Sequence, residues 1–373
     1  MTEASTREEP GKEEIRPLPD RTEIVDVVMH VAALADARDW RKEARAVSTE
    51  GPTNVMPLVD PARRAEVRFE SEGLQLAGHL YRARGVLEGG RAPALVMAGP
   101  MTSVKEETLP HYAERLQDAG YTVLAFDNRN FGESEGEPRQ HLDTYEQVED
   151  LKNAISYVLT REDVDPERLG LCCVCLGAGY GLEVAAMDRR VNAVALVAGG
   201  YNITDTYLGF LGPDGFRDYI ENLGEARQSQ HESGEIQYMP AVAGPPDYAP
   251  SAMPVEEAYE YYTRAHKREA PNWENRLTVA SMEHIVGWNV LGHAHLLEQP
   301  LLIVHGTTDV LLPPRYALEV YERAPEPKEI FWVETHNHVE LYDQEPYVPQ
   351  ALEKILPWLE DNLKGHVPDG DSA

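Results

Sequence analysis

The chain has 373 residues, of which 42% are hydrophobic, and a formal net charge of −30 at pH 7. That apolar content supplies a sizeable core, enough for one large α/β domain with additions or for two domains. The charge excludes nucleic acid and anionic membranes as partners, because phosphate surfaces repel it, and no apolar run approaches the ~20 residues needed to cross a bilayer.

Residues 1–20 are rich in Glu, Lys and Pro and are expected to be disordered. They lack the apolar stretch of a signal peptide, and all three cysteines fall within residues 172–175, so a reducing, cytoplasmic setting is expected. Residues 21–47 carry Ile24, Val27, Val28, Val31, Ala32 and Leu34 on a helical stripe. Residues 1–63 thus read as a tail and a helical extension, whose apolar face suits the main domain or a homodimer partner. Alternation of apolar and polar residues begins at Arg64, and 65–70 and 74–81, joined at Ser71-Glu-Gly73, read as a β-hairpin. Strands then follow at 94–98, 121–126, 169–174 and 191–197, with helices at 105–118 and 145–160 and another opening after Cys175.

The rhythm breaks over 202–298, a segment rich in Tyr, Gly and Pro with helical patches at 255–267 and 277–290. It resumes with strands at 300–304 and 329–333 and helices at 315–323 and 347–363. Strands alternating with helices define an α/β fold, a mostly parallel sheet with helices on both faces. Residues 64–201 and 299–365 read as the two parts of its core, 202–298 as a helical cap over the sheet's C-terminal edge, and 366–373 as a tail.

Between the strand at 169–174 and its helix stands Cys173-x-Cys175-x-Gly177. Small residues two before and two after a nucleophile permit a tight strand-to-helix turn that holds the central side chain exposed at a helix N-terminus. A thiol there is biased toward thiolate. Cys175 is therefore the candidate nucleophile, and Cys172 and Cys173 read as packing residues. An activated thiol needs a base, and the base an orienting acid, just past the ends of later strands. His305-Gly-Thr-Thr-Asp309 follows one such strand and Glu334-Thr-His-Asn-His338 the other. Asp309 is the candidate acid and His338 the candidate base, with His336 a rival two residues away. An oxyanion hole needs two N–H groups. Leu176, next to the nucleophile, and Met101, in the loop Gly99-Pro-Met-Thr-Ser103 where Pro100 has none, are the candidate donors.

The stretches Met101-Thr-Ser-Val-Lys-Glu106, Phe126-Asp-Asn-Arg-Asn-Phe-Gly-Glu-Ser134, the turn at Cys175, His305-Gly-Thr-Thr-Asp309 and His338-Val-Glu-Leu-Tyr-Asp343 stand in one order across residues 65–363. In that order the chain resembles the α/β-hydrolase superfamily, in particular its dienelactone-hydrolase-like and bacterial esterase/peptidase-like branches. The resemblance implies the α/β-hydrolase fold, with Cys175 as nucleophile, Asp309 as acid and His338 as general base. Most members carry serine in place of Cys175 and glycine in place of Cys173, whereas dienelactone hydrolases use cysteine. The implied activity is cleavage or transfer of the acyl group of an ester, lactone or thioester of a bulky hydrophobic small molecule in secondary metabolism, with no cofactor and no metal.

Two other readings stay open. One is a lyase, isomerase or cyclase with His338 as proton-transfer base, and the other a non-catalytic ligand-binding relative. His293-x-His295 has a metal-like spacing but reads as surface or substrate-contact histidines. Gly177-x-Gly179-x-Gly181 mimics a dinucleotide fingerprint, yet the following strand ends without the acidic residue a ribose requires. Tyr201, Tyr207, Phe210, Tyr259, Tyr261, Tyr262 and Trp288 are expected mainly to pack the cap and partly to line an apolar pocket.

Overall fold

The computed structural model describes residues 54–86, 89–246, 248 and 250–364. The N-terminal tail, the helical stripe at 21–47 and residues 366–373 lie outside the described residues.

An edge hairpin opens the sheet. β1 (Ala65–Ser71) pairs antiparallel with β2 (Leu74–Tyr81). Glu72 and Gly73 between them both take positive φ (48° and 87°), the left-handed pair whose twist matches that of a two-residue hairpin. β3 (Ala92–Met97), β4 (Thr122–Phe126), β6 (Ala193–Val197) and β9 (Leu301–Gly306) are buried at every residue, which is what strands covered on both faces require. With β5 (Val164–Val174) and β10 (Lys328–Val333) they give the order β1-β2-β4-β3-β5-β6-β9-β10. β2 is antiparallel to β4, and every pairing from β4 to β10 is parallel. The C-terminal ends of β3, β5, β6, β9 and β10 therefore gather along one edge of the sheet.

Helices α1 (Leu109–Asp118), α2 (Thr144–Leu159), α3 (Leu176–Met187), α7 (Pro314–Arg323) and α9 (Tyr347–Leu359) alternate with these strands. Asp143 caps α2 by accepting from the Tyr145 N–H at 2.9 Å. α1 begins later than its apolar pattern suggests, because Pro110 belongs in a first turn. Lys105, expected in that helix, instead sits fully buried in the preceding turn, its Nζ 2.8 Å from Glu106, 3.0 Å from Asp127 and 2.7 Å from Glu133. β5 also reaches further back than its apolar run, since a register shift against β3 accommodates the polar Asp165-Pro-Glu-Arg168 stretch.

Between β6 and β9 the chain leaves the sheet. It forms α4 (Ile203–Ser233), kinked at Gly212 ahead of Pro213, then α5 (Glu256–Arg268) and the short α6 (Ser281–Val286). The glycines and proline of α4 disguise it as loop in the sequence. The expected helix over 277–290 is corrected. β8 (Leu277–Thr278) pairs with β7 (Tyr238–Met239), and the β-branched Thr278 hydroxyl bonds Ser281 Oγ at 2.7 Å and His141 Nδ1 at 2.8 Å. Only six residues then wind into α6 before Gly287 ends it. This inserted segment is tied down over the sheet edge by Tyr262 Oη to Met101 O (2.5 Å), Trp288 Nε1 to Gly200 O (3.2 Å) and Val290 N to Tyr201 O (2.9 Å). No helix of the described residues is long and apolar enough to cross a membrane.

Candidate active site

β5 ends directly into Cys175, whose φ of 59° and ψ of −128° are a strained conformation for a side-chain-bearing residue. Its neighbours hold it there. Cys175 N donates to Val197 O (2.9 Å), Gly200 N to Cys175 O (2.9 Å) and Gly177 N to Gly99 O (3.0 Å). Gly177 must be glycine, because a Cβ would stand 2.4 Å from the Ala98 carbonyl carbon and oxygen. Cys173 occupies a position where a smaller residue is usual, and Gly181 makes the room. A Cβ on Gly181 would lie 3.0 Å from the Cys173 sulfur. The same close packing holds at Gly179, where a Cβ would meet Gly200 O at 2.3 Å.

The three thiols have diverged. Burial pushes the Cys172 thiol up, and that of Cys173 up to about 12. Burial also pushes Cys175 up, but the His338 charge, hydrogen bonds from His338 and Tyr342, and the Met101 N–H together bring it below the ordinary thiol value. The expectation of an exposed side chain is corrected, because Cys175 is only 5% exposed. Tyr262 of the inserted segment stands near it.

His338 follows β10 and precedes the single turn α8 (Glu340–Asp343). Its Nδ1 lies 2.6 Å from Asp309 Oδ2 and its Nε2 2.9 Å from Tyr342 Oη, with the Cys175 thiol beside the ring. Burial works against a charged ring, yet Asp309 and the Cys175 thiolate hold His338 well above the usual imidazole range. Asp309, just past β9, is fixed in turn by the Leu312 N–H, which donates to its Oδ1 at 2.7 Å. His305 Nε2 stands 3.5 Å from Asp309, but burial pushes this ring down and its Nε2 faces Leu312 O at 3.0 Å. His336 points outward, 3.1 Å from Tyr347 Oη and close to Glu340, so the structure brings His338 and not its rival to Asp309.

Leu176 opens α3 directly after Cys175, where the first N–H groups have no intrahelical acceptor. The Met101 N–H helps to lower the Cys175 thiol, and the Met101 carbonyl is pinned by Tyr262. The structure thus brings Cys175, His338, Asp309 and Met101 together, with Leu176 next to Cys175 in the chain.

Sequence reasoning missed two groups there. Tyr342 lies four residues after His338, a spacing that faces two side chains together on a helical turn. Glu257, from the first turn of α5, has its Oε1 3.4 Å from the His338 N–H, and no local signal marks it. Burial raises Glu257 to about 7, with Asp309 raising it further and His338 opposing. Because this folded value exceeds the ordinary carboxylate value, the fold takes up a proton there, and stability contributed at low pH is lost as pH rises toward 7. Glu257→Gln mimics the protonated form. It should match wild type in thermal melts at pH 4 and exceed it at pH 8, by at most about 3 kcal/mol. Equal stabilities at both pH values would remove this role.

In the His293-x-His295 pair, His293 Nδ1 is engaged by Glu183. Among the described residues, one set of three potential ligands converges, His111, Glu269 and Asp343, and there Arg264 already pairs with Asp343.

The family described as serine aminopeptidase, S33, matches residues 104–345. The thiohydrolase aneE of Aspergillus aculeatus is 31% identical over 74% of this chain and 86% of its own length. The polyketide transferase grgF of Penicillium sp is 29% identical, with 82% of this chain and 97% of the relative covered. The crystal structure of the α/β hydrolase GrgF from Penicillium sp. sh18 superimposes with a TM-score of 0.69 at 27% identity, covering 81% of this chain and 99% of that one. The chain thus belongs to the serine aminopeptidase S33 family and is an α/β-hydrolase-fold enzyme.

Proposed function

We propose that this enzyme uses a Cys175-His338-Asp309 triad to cleave or transfer the acyl group of a thioester, ester or lactone of a bulky hydrophobic small molecule. The observation that carries this reading is the chain of contacts from the Cys175 thiol through His338 to Asp309, at a strained turn opening a helix. Opposite shifts of the thiol and the imidazole favour a thiolate–imidazolium pair at rest. The thiolate attacks the acyl carbon, and the oxyanion is received by the N–H groups of Leu176 and Met101. The leaving group departs with the proton from His338 Nε2, leaving a thioester on Cys175. Water, or an alcohol, amine or carbanion, then takes the acyl group and the thiolate is restored.

Support for the substrate class comes from nearby aromatic side chains and from the relatives. Buried Tyr180 and Tyr262 lie within electrostatic reach of the thiol, and the Trp288 ring packs on Tyr180 at 5.4 Å. Relatives named thiohydrolase and polyketide transferase act, by those names, on thiol-linked or polyketide acyl groups. The test is intact-protein mass spectrometry after brief exposure to p-nitrophenyl esters and small acyl thioesters, with wild type and Cys175→Ala side by side. An acyl adduct on wild type alone is expected. Turnover surviving in Cys175→Ala but lost in His338→Ala would replace acyl chemistry with proton transfer.

A further inference from the structure

Tyr342 takes no part in the steps above, yet its hydroxyl touches both reacting side chains. It lies 2.9 Å from His338 Nε2 and stands close enough to the Cys175 thiol to favour its thiolate. It is also immobilised. The side chain is 2% exposed, and its ring packs edge-on against Tyr261 (centroids 4.8 Å, 77°) and His338 (5.1 Å, 75°). Tyr261 is anchored in turn, its hydroxyl 2.7 Å from Thr108 Oγ1 and accepting from the Thr108 N–H at 2.9 Å. Burial holds the Tyr342 phenol well above its usual value, so it stays a neutral donor.

An imidazole nitrogen offers one hydrogen-bonding direction, filled by a proton or by a lone pair. In the free enzyme Nε2 faces the phenol oxygen at 2.9 Å, and the Cys175 thiol stands close to both groups. Once the sulfur carries an acyl group it becomes a weak acceptor, His338 is neutral, and the phenol proton turns to the Nε2 lone pair. A hydrolytic water needs that same lone pair. Its oxygen bonds the acyl carbon, its proton passes to Nε2, the C–S bond breaks, and the acid leaves beside a restored thiolate–imidazolium pair. An amine makes a different demand. Its nitrogen lone pair forms the C–N bond first and the C–S bond breaks, and only then, with the thiolate restored and the phenol turned back to it, does the surplus ammonium proton pass to Nε2.

We infer that Tyr342 decides the fate of the acyl-enzyme: by occupying the Nε2 position that would activate water, it shields the thioester from hydrolysis and leaves it to an acceptor whose nucleophile needs no deprotonation before attack. This inference rests on the acyl-enzyme reading above. It assigns Tyr342 as a catalytic residue and names the acceptor class, an amine or an already ionised carbon or sulfur, in preference to water.

The experiment uses the full chain as wild type, Tyr342→Phe and Tyr342→Leu. Each is acylated with a p-nitrophenyl ester near neutral pH, and decay of the adduct is followed by quenched intact-protein mass spectrometry with and without hydroxylamine. Freeing Nε2 from one hydrogen bond should speed loss of the adduct to water by about 10-fold and lower the hydroxamate-to-acid ratio by a similar factor. A purely structural role would change both decay routes together and leave the ratio unmoved, so an unchanged ratio in both variants overturns the inference while leaving the acyl-enzyme intact. Slower loss to water in Tyr342→Phe overturns it as well. Absence of any adduct on wild type removes the acyl-enzyme and this inference together. The leucine variant, with no hydroxyl and a different shape, repeats the test if phenylalanine disturbs the packing.

Discussion

Cys175→Ala should retain the fold and lose turnover by at least ~10³-fold on any acyl donor the wild type accepts. The substitution removes the one sulfur that stands beside His338 and the Met101 N–H, while the backbone bonds of residue 175 to Val197 and Gly200 stay in place. Cys172 and Cys173 cannot substitute, because both are fully buried in β5 and their thiols are pushed up, not down. Cys175→Ser should be nearly as inactive, since a hydroxyl is not ionised by the field that lowers the thiol. Steady-state kinetics with a matched circular-dichroism melt check this. Wild-type rates in Cys175→Ala, on a substrate turned over with saturating kinetics, would sink covalent catalysis.

Asp309→Asn carries the second large effect, a fall of ~10⁴-fold in kcat. The carboxylate accepts from His338 Nδ1 at 2.6 Å and so keeps the Nε2 side toward the thiol able to exchange a proton. An asparagine amide at that place can present its N–H to Nδ1, which moves the ring proton to Nε2 and leaves nothing there to receive one. It also removes the charge that sustains the imidazolium, so the Cys175 thiol should rise toward its ordinary value. Iodoacetamide alkylation against pH reads this directly. In wild type, reactivity should persist below the ordinary thiol range and fall only as pH drops through the lowered thiol value, whereas in Asp309→Asn the whole profile should move to higher pH. An unshifted profile would detach Asp309 from the thiol's ionisation.

Much of this molecule is legible one segment at a time. The hairpin shows itself by alternation and by Glu72-Gly73, and the buried strands β3, β4, β6 and β9 by continuous apolar runs. Each of these signals is confined to a few neighbouring residues, where backbone dihedral preference and the face of a strand decide the outcome. The inserted segment defeats such reading. α4 holds Gly209, Gly212, Gly215, Gly224 and Pro213, which locally favour turns, and it forms because its few apolar side chains, such as Tyr219 and Leu223, find the core.

The α/β class, the order Cys175, Asp309, His338 and the small residues around the turn follow from local pattern, because strand period and turn sterics act over a handful of bonds. Which histidine meets Asp309, how deeply the thiol lies, and the presence of Tyr342 and Glu257 beside it are decided by packing alone. His338 and Asp309 are 29 residues apart, and Tyr262 and Met101 are 161 apart. Contacts at that separation exist only once the sheet has brought its strand ends together and the inserted helices have closed over them, since nothing in either partner's own neighbourhood encodes the other.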